Sequence, residues 1–479
     1  MEGHSLNLLS DVQLNDISIA LQKDLSRFEL LEEVRRINTQ EYPEFKDFGQ
    51  VQDRIGEGAY GQVYATDKDY AVKIQNDDES YNSDILWECA ALTYLDHPNI
   101  IKPEAICVNI EEIQSIKPSH KPHMVDNAIV SKKMYANLSL YLDHIKTPNS
   151  IQLIKSYAFQ IAKAMLYYIN QNLYHGDLKP DNLLIDRNGL IQIVDLGSCA
   201  SFIHRKTIPR TEFLTTHLYR APEIFSYSGK IDEKIDIWSY GCVLYEMFTR
   251  KRLFPGENDE NTHDRIKELL SGDNLVSKLI EENFPPDLID LLSQILVLNP
   301  EQRIEIEDIL VHPFLNEFSN IEVKRLSPID SMRFREVMVT NVQGKWFKSV
   351  RNKYYSTDFS KDYVLKFLKL SHVITLLYIL EDKEVEITDK IIFAVIHIVS
   401  ILNGRYLPIV STINDNIAKI VQKLNWHILP TTIYDYCLVL NPDMTEERHK
   451  EVRKKIMSYY MSPEKVKMSP YLLAKEALE

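Results

Sequence analysis

A chain of 479 residues exceeds one ordinary hydrophobic core and leaves room for two or three folding units. Its 44% apolar and 26% charged shares match folded globular proteins and exclude a mainly disordered or collagen-like polymer. The net charge of −14 argues against a primary nucleic-acid binder, so no direct nucleic-acid binding is expected.

The longest apolar stretches, such as Ile391 to Leu402, fall short of the roughly 20 residues that cross a bilayer, and the Met1 end lacks a signal-peptide pattern. An intracellular protein, cytoplasmic or nuclear, without membrane contact is expected. The five cysteines are far apart with no CxxC pair, which suggests reduced thiols rather than disulfides or zinc. Charge is uneven along the chain: residues 1–320 hold 31 Lys and Arg against 50 Asp and Glu, and residues 321–479 hold 24 against 19. A mildly basic body could dock on an acidic one, or the acidic one could attract basic substrates; plain solubility explains the pattern equally well.

In chain order, residues 1–47 read as an amphipathic helical extension carrying Leu6, Leu9, Val12, Ile17 and Leu21. Arg54 to Ile74 alternates apolar and polar residues around a glycine cluster, which predicts a hairpin followed by a third strand. Gly56, Gly58 and Gly61 would let the turn approach phosphate oxygens. GxGxxG alone also fits an ordinary hairpin or a dinucleotide fold. A dinucleotide site needs a helix next, however, and here a strand follows that ends Tyr70-Ala71-Val72-Lys73, with Lys73 placed to reach phosphates.

Glu88, in the helical run Ile85 to Leu95, is a candidate partner for that lysine, with a solvated helix glutamate as the plain alternative. The segment YHGDLKPDNLL, Tyr174 to Leu184, offers Asp177 to accept a hydroxyl proton, Lys179 to neutralise a moving phosphoryl group and Asn182 to hold a metal ion. Asp195, in Ile193-Val194-Asp195-Leu196-Gly197, ends an apolar strand as the expected main magnesium ligand. Each acid alone could be a turn or cap residue, but four such elements in this order make coincidence a poor account.

With those residues in place, the chain from about Phe48 to Phe318 resembles the eukaryotic protein kinase family. Ala221-Pro222-Glu223 resembles the end of the activation segment, DIWSYGCVLYEM from Asp236 the helix that braces the catalytic loop, and Arg303 the arginine that pairs with the glutamate at Glu223. Lys179 and Thr216 are serine/threonine-type choices. The resemblance implies a bilobal fold within an α+β architecture: an antiparallel sheet lobe and a mainly helical lobe at residues 48–318. It further implies ATP and Mg2+ as cofactors, with nucleotide contacts from Ile55, Gly56, Glu57, Gly58, Ala59, Tyr60, Gly61, Val63, Ala71 and Lys73. The expected catalytic set is Asp177, Lys179, Lys73, Glu88 and Thr216, and the expected metal ligands are Asn182 and Asp195. GEGAYG, HPNII and TTHLYRAPE look most like the cyclin-dependent kinase branch, where Arg220 favours proline after the phosphorylated residue; that implies protein substrates with Ser-Pro or Thr-Pro sites.

Several positions depart from the branch. Gly176, Trp87 and Ala200 replace three arginines that would clasp a phosphothreonine at Thr211, so its phosphorylation is expected to be dispensable or read by Arg205, Lys206 or Arg210. Leu196 replaces a phenylalanine and should keep a spine with Leu92 and His175.

The last third reads as all-helical, since only Gly344 and Gly404 of the 14 glycines follow residue 320. Lys345 to Val350, YVLKFLKLSHVITLLYIL, KIIFAVIHIVSIL and Ile413 to Leu440 resemble the helices of a single cyclin box within residues 330–442, followed by a charged helical tail, 443–479. The resemblance implies a cyclin-like domain acting on the kinase in cis, with a cyclin in trans left open. Asn403-Gly404-Arg405-Tyr406 departs from the lysine and acidic residues that meet the kinase in that family. An unrelated helical bundle serving interaction or targeting, and a nucleotide-binding scaffold without chemistry, are the competing readings.

Overall fold

The computed structural model describes residues 45–57, 61–75, 82–108, 127–144, 150–201, 216–225, 231–256, 258–318, 342–343, 350, 363–402, 414–424, 428 and 430–479. Residues 1–44 of the N-terminal extension, Gly58, Ala59, Tyr60, Thr211 with its neighbouring cations, the Trp346 segment and Arg405 lie outside these residues.

Five antiparallel strands form the first layer: β1 (Val51–Glu57), β2 (Gly61–Thr66), β3 (Tyr70–Gln75), β4 (Pro103–Val108) and β5 (Asn127–Lys132), in the order β1-β2-β3-β5-β4. Side chains alternate between the two faces of a strand. Val72 and Ile74 on β3 therefore join Ala128 and Val130 on β5 in a small core with Phe45 and Phe48. Ala71 and Lys73, paired in register with Ser131 and Ile129, are left for the other face. The helix α1 (Asn82–Tyr94) lies between β3 and β4 in sequence. Its exit is pinned to the next lobe, where Ile101 N–H donates to Ile193 O and Ile193 N–H donates to Asn99 O, each at 2.9 Å.

The second lobe begins with β6 (Ala136–Asn137), α2 (Leu138–His144) and α3 (Ile151–Asn170). Ser150 caps α3 by accepting from Leu153 N–H at 3.2 Å, a bond that replaces one missing at any helix start. Then come β7 (Leu173–Tyr174), β8 (Leu183–Ile185), β9 (Ile191–Ile193) and β10 (Ala200–Ser201). The β6-β8-β9 ribbon carries the loop on either side of which the candidate acids sit. Helices α4 (Pro222–Phe225), α5 (Lys234–Thr249), α6 (Asp259–Leu269), α7 (Asn274–Glu281), α8 (Pro286–Ile295) and α9 (Ile306–Val311) complete the lobe. From Lys234 to Met247 every residue of α5 is buried, including Lys234, Asp236 and Glu246, so the helix runs through the middle of the core with its charged groups paired inside it.

The last third is helical: α10 (Tyr363–Asp382), α11 (Asp389–Leu402), α12 (Asn414–Lys423), α13 (Ile433–Leu440), α14 (Glu446–Tyr460) and α15 (Pro470–Leu478). After the Pro430 turn, Thr432 and Asp435 form a reciprocal capping box that starts α13. Helix α11 packs on α10 and α12, and also on α1 of the first lobe. The buried apolar side chains of the helical lobe, α1 and this last third make one contiguous core. No described helix is long and apolar enough to cross a membrane, and all five cysteines are free and buried.

Candidate active site

Between the two lobes lies a cleft of about 890 Å³ whose wall includes Ile55, Gly56, Glu57, Gly61, Val63, Ala71 and Lys73 from the sheet, and Asp177, Lys179, Asn182, Asp195 and Thr216 from the helical lobe. Every sequence-expected site residue within the described set, Glu88 included, lines it. The glycines have different reasons to be there. A Cβ at Gly61 would sit 2.5 Å from the Ile74 carbonyl oxygen, so the crossing onto β3 itself demands glycine; at Gly56 the nearest atom would be 3.5 Å away, an ordinary contact.

The strand alternation that puts Val72 and Ile74 in the core turns Lys73 into the cleft. Its Nζ donates to both Glu88 carboxylate oxygens, at 2.8 and 2.7 Å, and to Asp195 Oδ1 at 2.6 Å. Burial works to lower the Lys73 pKa, but the charges of Asp195 and Glu88 outweigh it and hold it above the ordinary lysine value. Burial likewise opposes the Asp195 charge, and the Lys73 ammonium prevails, keeping that carboxyl below its ordinary value. Asp195 has left-handed backbone angles, φ 64° and ψ 65°, a strained conformation for a residue with a Cβ. The following turn, Leu196–Ser198, packs against α1 and so couples that backbone to the helix carrying Glu88. Leu92, His175 and Leu196 are all buried at this junction.

Opposite stands the second cluster. Asp177 Oδ2 accepts from Lys179 Nζ at 2.6 Å, and Oδ1 accepts from the Thr216 N–H at 2.7 Å and its hydroxyl at 2.9 Å. Lys179 also reaches the Thr216 hydroxyl at 2.7 Å. Asn182 Nδ2 donates to the Asp177 carbonyl at 2.8 Å, which leaves its Oδ1 as the acceptor for a cation. The loop is set by Asp236 on α5, whose carboxylate accepts the His175 N–H at 2.6 Å and the Gly176 N–H at 3.0 Å. Burial raises the Asp236 pKa, against the pull of His175 and those two N–H donors. His175 Nδ1 accepts the Asp177 N–H at 3.1 Å, so its proton is on Nε2, 2.9 Å from the Val194 carbonyl. Gly176 has φ 80°, where a glycine is unstrained.

Arg303 and Glu223 form a bidentate pair at 2.9 and 3.1 Å, with Arg303 also donating to Lys234 O at 2.6 Å. The sequence reading passed over Ser131, Met134, Leu184, Val194 and Arg252, which also line the cleft. The apolar ones carry no signal beyond strand alternation, which is shared with the core.

A family model described as "Protein kinase domain" matches residues 50–315. Among curated proteins, "Mitogen-activated protein kinase 10" of Oryza sativa subsp. japonica is 28% identical over 377 residues, 69% of this chain. That match spans 59% of the relative's own length. With more than half of its residues in the family model, and with Lys73, Glu88, Asp195 and the Asp177–Lys179–Thr216 cluster drawn together in one interlobe cleft, this chain belongs to the protein kinase family.

Proposed function

We propose that the chain is a serine/threonine protein kinase that transfers the γ-phosphate of ATP to hydroxyls of proteins. The observation that carries this reading is Lys73 held between Glu88 and Asp195, facing the Asp177–Lys179–Thr216 cluster across one cleft. A scaffold without chemistry would have no need for these six polar groups bonded within two facing clusters.

ATP with Mg2+ is the cofactor pair the family implies, and the donors fit it: Asn182 Oδ1 and the Asp195 carboxylate are hard oxygen ligands on the same wall. When bound, the metal offsets the negative charge of the phosphate oxygens. Lys73 holds and orients the phosphates, and Glu88 holds Lys73. Asp177, fixed by Thr216, accepts the proton of the incoming hydroxyl, and Lys179 stabilises charge on the moving group. Purified full-length chain, supplied with Mg2+, radiolabelled ATP and mixed peptides, should label serine or threonine, and Asp195→Asn should not. Failure of the wild-type chain to bind nucleotide or label any hydroxyl would sink the reading.

The finer reading is proline-directed phosphorylation with a cyclin-like domain working in cis. For the first, the support is the branch-like sequence around Arg220, whose guanidinium lies 5.5 Å over the Phe225 ring. In favour of the second, α11 packs on α1, the helix that delivers Glu88 to Lys73. A cyclin in trans would have to compete for an α1 surface that already has an occupant.

A further inference from the structure

At the Thr216 end of the cleft the wall contains Arg252, a residue used by neither cluster above. Its backbone is pinned on both sides. Arg250 closes α5 with φ 59° and donates its N–H to Glu246 O at 2.7 Å, and the Lys251 N–H donates to the Thr249 hydroxyl at 3.1 Å. Immediately after, Leu253 and Phe254 are buried, with Phe254 stacked on Trp238 at 5.6 Å. Arg252 is thus an exposed residue on a backbone pinned from both sides, sharing its wall with Asp177, Lys179, Leu218 and Tyr219. Among the described residues no carboxylate lies within ion-pairing distance of it.

The opposing charges nearby are Asp181, on the same wall, and Glu246. Glu246 is buried and accepts the Tyr219 hydroxyl at 2.7 Å, and the Arg252 charge acts on it only from beyond ion-pairing distance. We propose that Arg252 is a specificity residue that takes an anionic side chain, carboxylate or phosphate, flanking the acceptor hydroxyl of the substrate. A planar guanidinium that pairs with no carboxylate among the described residues matches either anion with two parallel hydrogen bonds. The acidic net charge of the chain repels such a peptide at long range, but salt screens that repulsion beyond about 8 Å, whereas the pairing acts at contact.

The inference rests on the kinase reading, and the test separates the two. Full-length chain with Mg2+ and ATP is given peptides of one acceptor sequence carrying Ala, Asp, phosphoserine or Lys at each flanking position. The Asp or phosphoserine peptide should show a KM about tenfold below the Ala peptide at one position, and comparing the two anions separates carboxylate from phosphate. Arg252→Ala should erase that difference through KM rather than kcat, and Arg252→Lys should retain part of it. Labelling with no charge preference, a preference for Lys, or a preference that survives in Arg252→Ala overturns the inference alone. Absence of label on every peptide and on the chain itself defeats the kinase reading and the inference together.

Discussion

Lys73 illustrates how a buried charge network separates stability from catalysis. Its side chain is 20% exposed while that of Glu88 is 4% exposed, so removing the ammonium strands a buried carboxylate beside Asp195. Lys73→Met should therefore lower activity by about 10²–10³-fold, the usual loss for one charge-stabilising donor, and also cost about 3 kcal/mol of stability. Adding Glu88→Gln should restore most of the melting temperature and none of the activity. Recovery of activity in the double variant would show that Lys73 acts only as a structural counter-ion. His97 gives a pH-dependent counterpart. Burial, and then the charge of Lys163, push its pKa well below the ordinary 6.5, so the folded chain keeps it neutral. The unfolded chain takes up the proton first, and the His97 contribution is complete above pH ~6.5 and is lost as pH falls below it. Its Nδ1 accepts the Asn99 N–H at 3.1 Å, a role an Asn oxygen can fill. Thermal melts between pH 7.5 and 5.5 should fall less steeply for His97→Asn than for wild type; parallel slopes would remove His97 from the account.

At the scale of elements, the Arg303–Glu223 pair joins α4, the end of α8 and the start of α5. Its side chains are 0% and 6% exposed, and the guanidinium also donates to the Val297 and Lys234 carbonyls. Arg303→Ala would leave a buried carboxylate without its guanidinium, so a loss of about 3–5 kcal/mol is expected in denaturant unfolding. A loss below about 1 kcal/mol would mean that water replaces the guanidinium. Lys73 and the Asp177 loop were readable in sequence because each rests on a short motif with fixed chemistry, whereas this pairing was implied only by the family resemblance and Glu88 was one candidate on a helix. Other features were not. Asp236 could be placed on a bracing helix, but that its two oxygens accept successive N–H groups of the catalytic loop depends on how α5 crosses beneath that loop. Gly61 looked like a phosphate-approach glycine, and the neighbour that forbids a side chain there is the Ile74 carbonyl on the next strand. In α11, Ile392, Ala394, Val395, Ile396, Ile398 and Val399 are all buried. An apolar run with so little periodicity shows that a helix is covered on several sides without saying by what. The answer, α10 and α12 on its own side and α1 across the lobes, exists only in three dimensions.

For the whole molecule that contact sets the argument. The helix carrying Glu88 is held from one side by the Leu196–Ser198 turn and from another by α11, within a core that continues from the helical lobe into the last third. Removing residues 321–479 would expose the apolar surface of α1 and leave the Lys73–Glu88 pair dependent on the sheet lobe and the Leu196–Ser198 turn. The pair persists only if α1 stays inward, and a shift of about 1.4 kcal/mol in that equilibrium is tenfold in the competent population. Residues 45–320 alone should accordingly phosphorylate at least tenfold more slowly than the full chain, at unchanged KM for ATP if the nucleotide wall is intact. Supplying residues 321–479 as a separate chain should restore activity only at high concentration, because the covalent link provides an effective concentration of about millimolar. Two results would count against cis activation: equal rates for the truncated and full chains, or no rescue by a tail fragment shown by circular dichroism to be helical.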